Sequence, residues 1–189
     1  MLSAPTAQTA TQYSFLIIGY GNELRSDDAV GPWVARAVAD WQLPAVKSLA
    51  VHQLTPELAD VISEADYVIF VDACGESCSQ TVQLDPLGVD CSVPRATSLG
   101  VHSYAPMALL SLTQGLYGHH PQAWLLQIPT ECFGLGETLS ATAREGCDRA
   151  LRIIEQFLRT YQWPPLEWPP DRPPDWSLGT SQEPCMKSV

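Results

Sequence analysis

Between Tyr13 and Tyr161 the apolar residues follow two alternating rhythms. Near-continuous apolar runs at Tyr13–Gly19, Val46–Val51, Tyr67–Asp72, Thr81–Leu84 and Ala123–Ile128 predict strands, and runs of that kind belong to a sheet covered on both faces. Between them the apolar positions recur at helical spacing. Trp33, Val34, Ala37, Val38 and Trp41 mark one helix, and Leu58, Val61 and Ile62 a second, with Thr55 as its expected cap and Pro56 at its first position. Met107, Leu109, Leu110 and Leu112 mark a third. A fourth runs from about Ser140 to Tyr161, with Ala150, Leu151, Ile154, Phe157, Leu158 and Tyr161 on one face. Strands alternating with helices predict a three-layer α/β/α fold with a mostly parallel sheet of about five strands. The loop before Thr81–Leu84 is too short for a crossover helix, so that strand is expected to run antiparallel at an edge.

A chain of 189 residues fits one domain with a substantial core. Residues 13–161 form the expected α/β domain, after a flexible terminus at 1–12. The segment 162–189 repeats a Trp-Pro-Pro unit (Trp163-Pro164-Pro165, Trp168-Pro169-Pro170) and cannot continue a helix, so an extended or disordered tail is expected.

Charge narrows the choice of partners. Ten Lys and Arg stand against 21 Asp and Glu, a net charge of −11, whereas nucleic acid or an anionic membrane demands a basic face. No run approaches the ~18 apolar residues of a membrane span, and MLSAPTAQTATQ lacks the basic start and apolar centre of a signal peptide. A cytoplasmic, reducing compartment is the expectation. The six cysteines show no C-x-x-C and no zinc-knuckle spacing, so they are expected as free, partly buried thiols.

The chemistry concentrates at Phe15–Pro32, FLIIGYGNELRSDDAVGP. A strand, a Gly-rich turn and a helix suggest a phosphate cradle, but Leu24 replaces the third glycine of G-x-G-x-x-G. Glu23, Asp27 and Asp28 would also repel an anion. Carboxylates at the carboxyl end of a strand suit a cation. Ligands of open α/β sheets sit at that edge, and three donors fall there: Glu23 after the first strand, Asp72 at the end of Tyr67–Asp72, and His102 before the third helix. Such a trio is a plausible shell for a divalent ion with open positions. Each also has a plainer reading, as turn acid, loop cap or helix cap. Asp27 and Asp28 are expected to cap the first helix. Asn22 can orient Glu23 or take a left-handed turn, and His52, ending the second strand, faces the same edge. No nucleophile elbow and no H-E-x-x-H is present, and no general base can be named.

These residues resemble the hydrogenase maturation endopeptidases, an aspartic-type endopeptidase family that removes a C-terminal peptide from the large subunit of nickel–iron hydrogenases. The resemblance is carried by G-Y-G-N-E-L-R-S-D-D-A-V-G at Gly19–Gly31, by V-D-A at Val71–Ala73 and by the histidine of G-V-H-S-Y-A-P. It implies that Glu23, Asp72 and His102 contact nickel already inserted in the substrate. No metal would then be permanently bound, although other divalent ions could occupy the site. His52-Gln53-Leu54-Thr55 stands where many members carry an acid-glycine-glycine-threonine segment, similar to the cyanobacterial bidirectional or uptake branch. His52, Gln53 and Asn22 are therefore expected to read the substrate. Ala29 stands where glycine is common. The resemblance implies a monomeric enzyme whose partner is the large-subunit precursor, without nucleic acid or membrane. The rival readings are a non-catalytic nickel-checking module and a nucleotide-binding α/β domain.

Overall fold

The computed structural model describes residues 13–75, 81–88, 105–136 and 138–161. In chain order they form β1 (Phe15–Tyr20), a 3-10 turn (Ser26–Ala29), α1 (Val30–Ala39), β2 (Val46–Val51), α2 (Leu58–Ser63), β3 (Tyr67–Cys74), β4 (Gln83–Leu87), α3 (Pro106–Tyr117), β5 (Gln122–Pro129) and α4 (Ala141–Tyr161). The sheet has the order β2-β1-β3-β5-β4. All neighbours are parallel except β4, which runs antiparallel to β5 at the edge. Pro86 is tolerated there because an edge strand need not donate every amide.

Strand alternation divides the core into two layers. Phe15 and Ile17 of β1, with Ile69 and Val71 of β3, pack under α1 and α4. Leu16 and Ile18, with Val68 and Phe70, pack under α2 and α3. Side chains two apart share a face of a strand, so continuous apolar runs cover both. In α4 the buried positions Ala143, Cys147, Ala150, Leu151, Ile154, Phe157 and Leu158 keep a spacing of three or four, which is one face of a helix. Pro106 opens α3, and Gly118 closes it with φ +77°.

Several details differ from expectation: β1 spans Phe15–Tyr20 rather than Tyr13–Gly19, and β3 runs on to Cys74, past Asp72. Helix α2 is only six residues long and has no side-chain cap; Thr55 contributes its carbonyl to the Leu58 N–H instead. The edge strand begins at Gln83 rather than Thr81. The 1–12 and 162–189 segments lie outside the described residues.

Helix α1 lies unusually close to the sheet. A Cβ on Gly19 would stand 1.8 Å from the Gly31 carbonyl oxygen, a distance no side chain can occupy. The first glycine of the motif therefore serves packing between helix and strand. Among the described residues no helix is long and apolar enough to cross a membrane.

Candidate active site

The carboxyl ends of β1, β2, β3 and β5 share one edge, and the chain reverses direction of winding between β1 and β3. Such a switch point opens a crevice. The turn after β1 lines it. Gly21 has φ +146°, and a Cβ there would meet the Asp28 carbonyl oxygen at 1.9 Å. Its N–H donates to the Val51 carbonyl (3.3 Å), tying the turn to the end of β2. The Asn22 N–H donates to Asp28 Oδ2 (2.9 Å), while Asn22 Oδ1 accepts the Leu24 N–H (3.0 Å). Asn22 is thus an Asx-turn former, and the left-handed conformation is absent there.

That turn sets Glu23 on the surface, where its carboxylate pairs with the Arg36 guanidinium of α1. Exposed pairs of this kind contribute about 0–1 kcal/mol, so the carboxylate can exchange this partner for another cation.

Asp72 sits in the crevice itself. Gly19 is paired with Val71, so Tyr20 and Asp72 come next in register, on the face carrying Leu16, Ile18, Val68 and Phe70. The Tyr20 hydroxyl donates to Asp72 Oδ2 at 2.7 Å. Burial raises the Asp72 carboxyl from 3.8 to about 6, with the nearby Asp28 charge adding to the rise; the Tyr20 and Ala73 hydrogen bonds oppose it. Burial and the Asp72 carboxylate push the Tyr20 hydroxyl far above its ordinary value. Tyr20 was not singled out in the sequence. The signal was available: a strand-terminal tyrosine two residues beyond Ile18 shares a face with the acid ending the neighbouring strand.

A pH dependence follows. Between 3.8 and about 6 the native state holds a proton on Asp72 that the unfolded state releases. This group's contribution to stability therefore falls as pH rises through that window, and the loss is complete above it. Tyr20→Phe removes a hydrogen bond that favours the carboxylate, so Asp72 should titrate higher, seen by carboxyl-carbon NMR. A downward shift would mean that the hydroxyl does not stabilise the charged form.

Asp27 and Asp28 do not cap α1; its N-cap is Ala29, without a side-chain bond. Asp28 closes the Asn22 turn. Asp27 is fully buried and binds a remote loop. Its Oδ2 accepts the Glu131 N–H (2.9 Å), the Cys132 N–H (3.0 Å) and Ser140 Oγ (2.7 Å), and its Oδ1 accepts the Ser140 N–H (2.6 Å). The 3-10 turn displaces both acids from helix-capping geometry, and Ser26 enters it at φ +41°.

His52 and Gln53 are exposed just beyond β2, at the same edge. His102 lies outside the described residues. Among the described residues no three His, Cys, Asp or Glu side chains are grouped to hold a metal. The site therefore brings Asp72 to the crevice, with Glu23 and His52 on the turns bordering that edge. The cysteine expectation is corrected: Cys74, ending β3, and Cys132 are disulfide-bonded, while Cys147 is a buried free thiol. The Thr130 N–H and hydroxyl both donate to the Cys74 carbonyl (2.9 Å each), bringing the loop after β5 alongside β3. A shallow cleft lined by Ser14, Ala45, Val46 and Lys47 opens at the opposite, amino end of the sheet, away from this chemistry.

The arrangement is a doubly wound α/β sheet with an acidic switch-point crevice. Neither a protein-family model nor a curated protein sequence matches the chain. Solved structures do match. The hydrogenase maturating endopeptidase HybD from Escherichia coli is 23% identical with a TM-score of 0.63, covering 78% of this chain and 93% of its own. The NiFe hydrogenase maturation protease HycI from Thermococcus kodakarensis is 23% identical with a TM-score of 0.60, covering 78% and 94%. A hydrogenase 2 maturation peptidase from a Thaumarchaeota archaeon is 21% identical with a TM-score of 0.58, covering 77% and 97%. At these identities the likeness is one of fold.

Proposed function

We propose that this protein is an endopeptidase that removes the C-terminal extension of a nickel–iron hydrogenase large-subunit precursor after nickel insertion. The observation that carries the reading is Asp72, a largely buried carboxyl at the switch point of a fold shared with hydrogenase maturation endopeptidases. Its acidity is poised, at about 6, so approach of a divalent cation would drive it to the carboxylate.

Glu23 supplies a second oxygen donor by leaving Arg36, and His102 a nitrogen donor. The nickel arrives with the substrate, and the enzyme holds no metal of its own; other divalent ions bind weakly to so open a shell. His52 and Gln53 read the partner, a segment similar to that of the cyanobacterial bidirectional or uptake type. The enzyme acts as a cytoplasmic monomer, and its net charge of −11 favours a basic face on the precursor.

The test is to incubate the protein with nickel-loaded and nickel-free precursors and weigh the products. Cleavage confined to the loaded form is expected; equal cleavage of both would remove the nickel from the mechanism. Glu23→Ala should lower processing of the loaded form at least about 100-fold while leaving the melting temperature nearly unchanged, because it loses only an exposed pair. Arg36→Gln should process within a few-fold of wild type. A Glu23→Ala protein that cuts at the wild-type rate would place the metal contact elsewhere.

A further inference from the structure

Three of the large apolar side chains left exposed lie on two adjoining loops: Leu24 at 72% exposure on the turn after β1, and Leu135 at 77% and Phe133 at 38% on the loop after β5. The Gly136 N–H donates to the Leu24 carbonyl (3.0 Å), so the turn after β1 and the loop after β5 run side by side. Leu24 directly follows Glu23. At the other end, the Phe133 ring lies 3.5 Å from where a Cβ on Gly75 would stand, just past the end of β3 and three residues from Asp72. The apolar positions therefore run from the Glu23 turn to the strand that carries Asp72.

Single exposed leucines are ordinary on a protein surface, but several large apolar side chains on adjoining loops beside a polar crevice are a mark of a binding surface. The loop that carries Phe133 and Leu135 is also anchored. Asp27 holds its two ends through the Glu131, Cys132 and Ser140 amides, and the Ser26 hydroxyl donates to the Thr138 carbonyl (2.9 Å). Holding it requires a fully buried carboxylate and a residue at φ +41°, both costly arrangements. Part of this loop serves the core, where Cys132 is buried and Leu139 packs, but Phe133 and Leu135 are left to solvent. A surface that is already ordered loses less entropy on binding.

We infer that Leu24, Phe133 and Leu135 form a preorganised apolar rim that seats an apolar stretch of the precursor's chain beside the bond to be cut. The identity of the partner rests on the protease reading above. The rim sets affinity, through KM and not kcat, because it touches the partner beside the reacting atoms.

The experiment measures binding and cleavage separately, using the nickel-loaded large-subunit precursor with its extension intact. Leu24→Ser/Leu135→Ser should bind the uncut precursor at least tenfold more weakly than wild type, which corresponds to about 1.4 kcal/mol. Its KM should rise by a similar factor, with kcat retained and the melting temperature unchanged. Leu24→Met/Leu135→Met should restore binding. Equal affinities for wild type and the serine variant, or no binding by wild type, would overturn the rim. Wild type that binds through the rim yet releases no cut product would overturn the protease reading alone.

Discussion

Asp27→Ala is expected to lower the unfolding free energy by about 4 kcal/mol. The carboxylate is fully buried and accepts three backbone amides and one hydroxyl. Alanine leaves the Glu131, Cys132 and Ser140 N–H groups without an acceptor, and each unsatisfied buried donor costs about 1–3 kcal/mol. Partial relaxation of the loop toward water reduces the sum. Asp27→Asn keeps one acceptor but turns its amide hydrogens toward other donors, so about 2 kcal/mol is expected. Urea melts with an unchanged m-value would report both. A shift below about 1 kcal/mol for alanine would mean that the loop is not held by Asp27 and that the rim is not preorganised.

Asp72→Asn should abolish processing, with a loss of at least about 1,000-fold in kcat/KM, and should not destabilise the protein at neutral pH. The side chains are nearly isosteric, and the Tyr20 hydroxyl can still donate to the amide oxygen. The substitution also removes a carboxyl whose ionisation the fold opposes, with its acidity shifted from 3.8 to about 6. Stability above pH 6 should therefore equal or exceed that of wild type, and the fall attributed to Asp72 between those values should vanish. Loss of activity together with lower stability would assign Asp72 a structural role. Retained activity would remove it from the chemistry.

Much of the fold was legible because burial leaves a periodic record. Val46–Val51 was read with its bounds intact, and the Ser140–Tyr161 pattern anticipated α4 to within a residue. The antiparallel edge followed from a loop too short to cross the sheet. The acids were read less well. Asp27 and Asp28 have the sequence character of helix caps, yet neither caps α1. The partners of Asp27 lie more than a hundred residues away, and no local pattern records a contact of that range. Glu23 was read as one of three donors or as a turn acid, whereas the last turn of α1 brings Arg36 against it.

By itself the sequence determined the layers, the elements and the edge at which polar chemistry collects, because alternation and helical spacing follow from burial of one face or two. It also placed Glu23 and Asp72 at strand ends, where a parallel sheet gathers its loops. Only the tertiary structure decided which of these groups meet. The strand order puts β1 beside β3, so the Tyr20 hydroxyl reaches Asp72. It also folds the loop after β5 onto Asp27 and ties Gly136 to Leu24. Hydrogen bonds and desolvation act over a few ångströms between residues distant in sequence, so the acidity of Asp72 and the shape of the crevice rim exist only once the strands have paired.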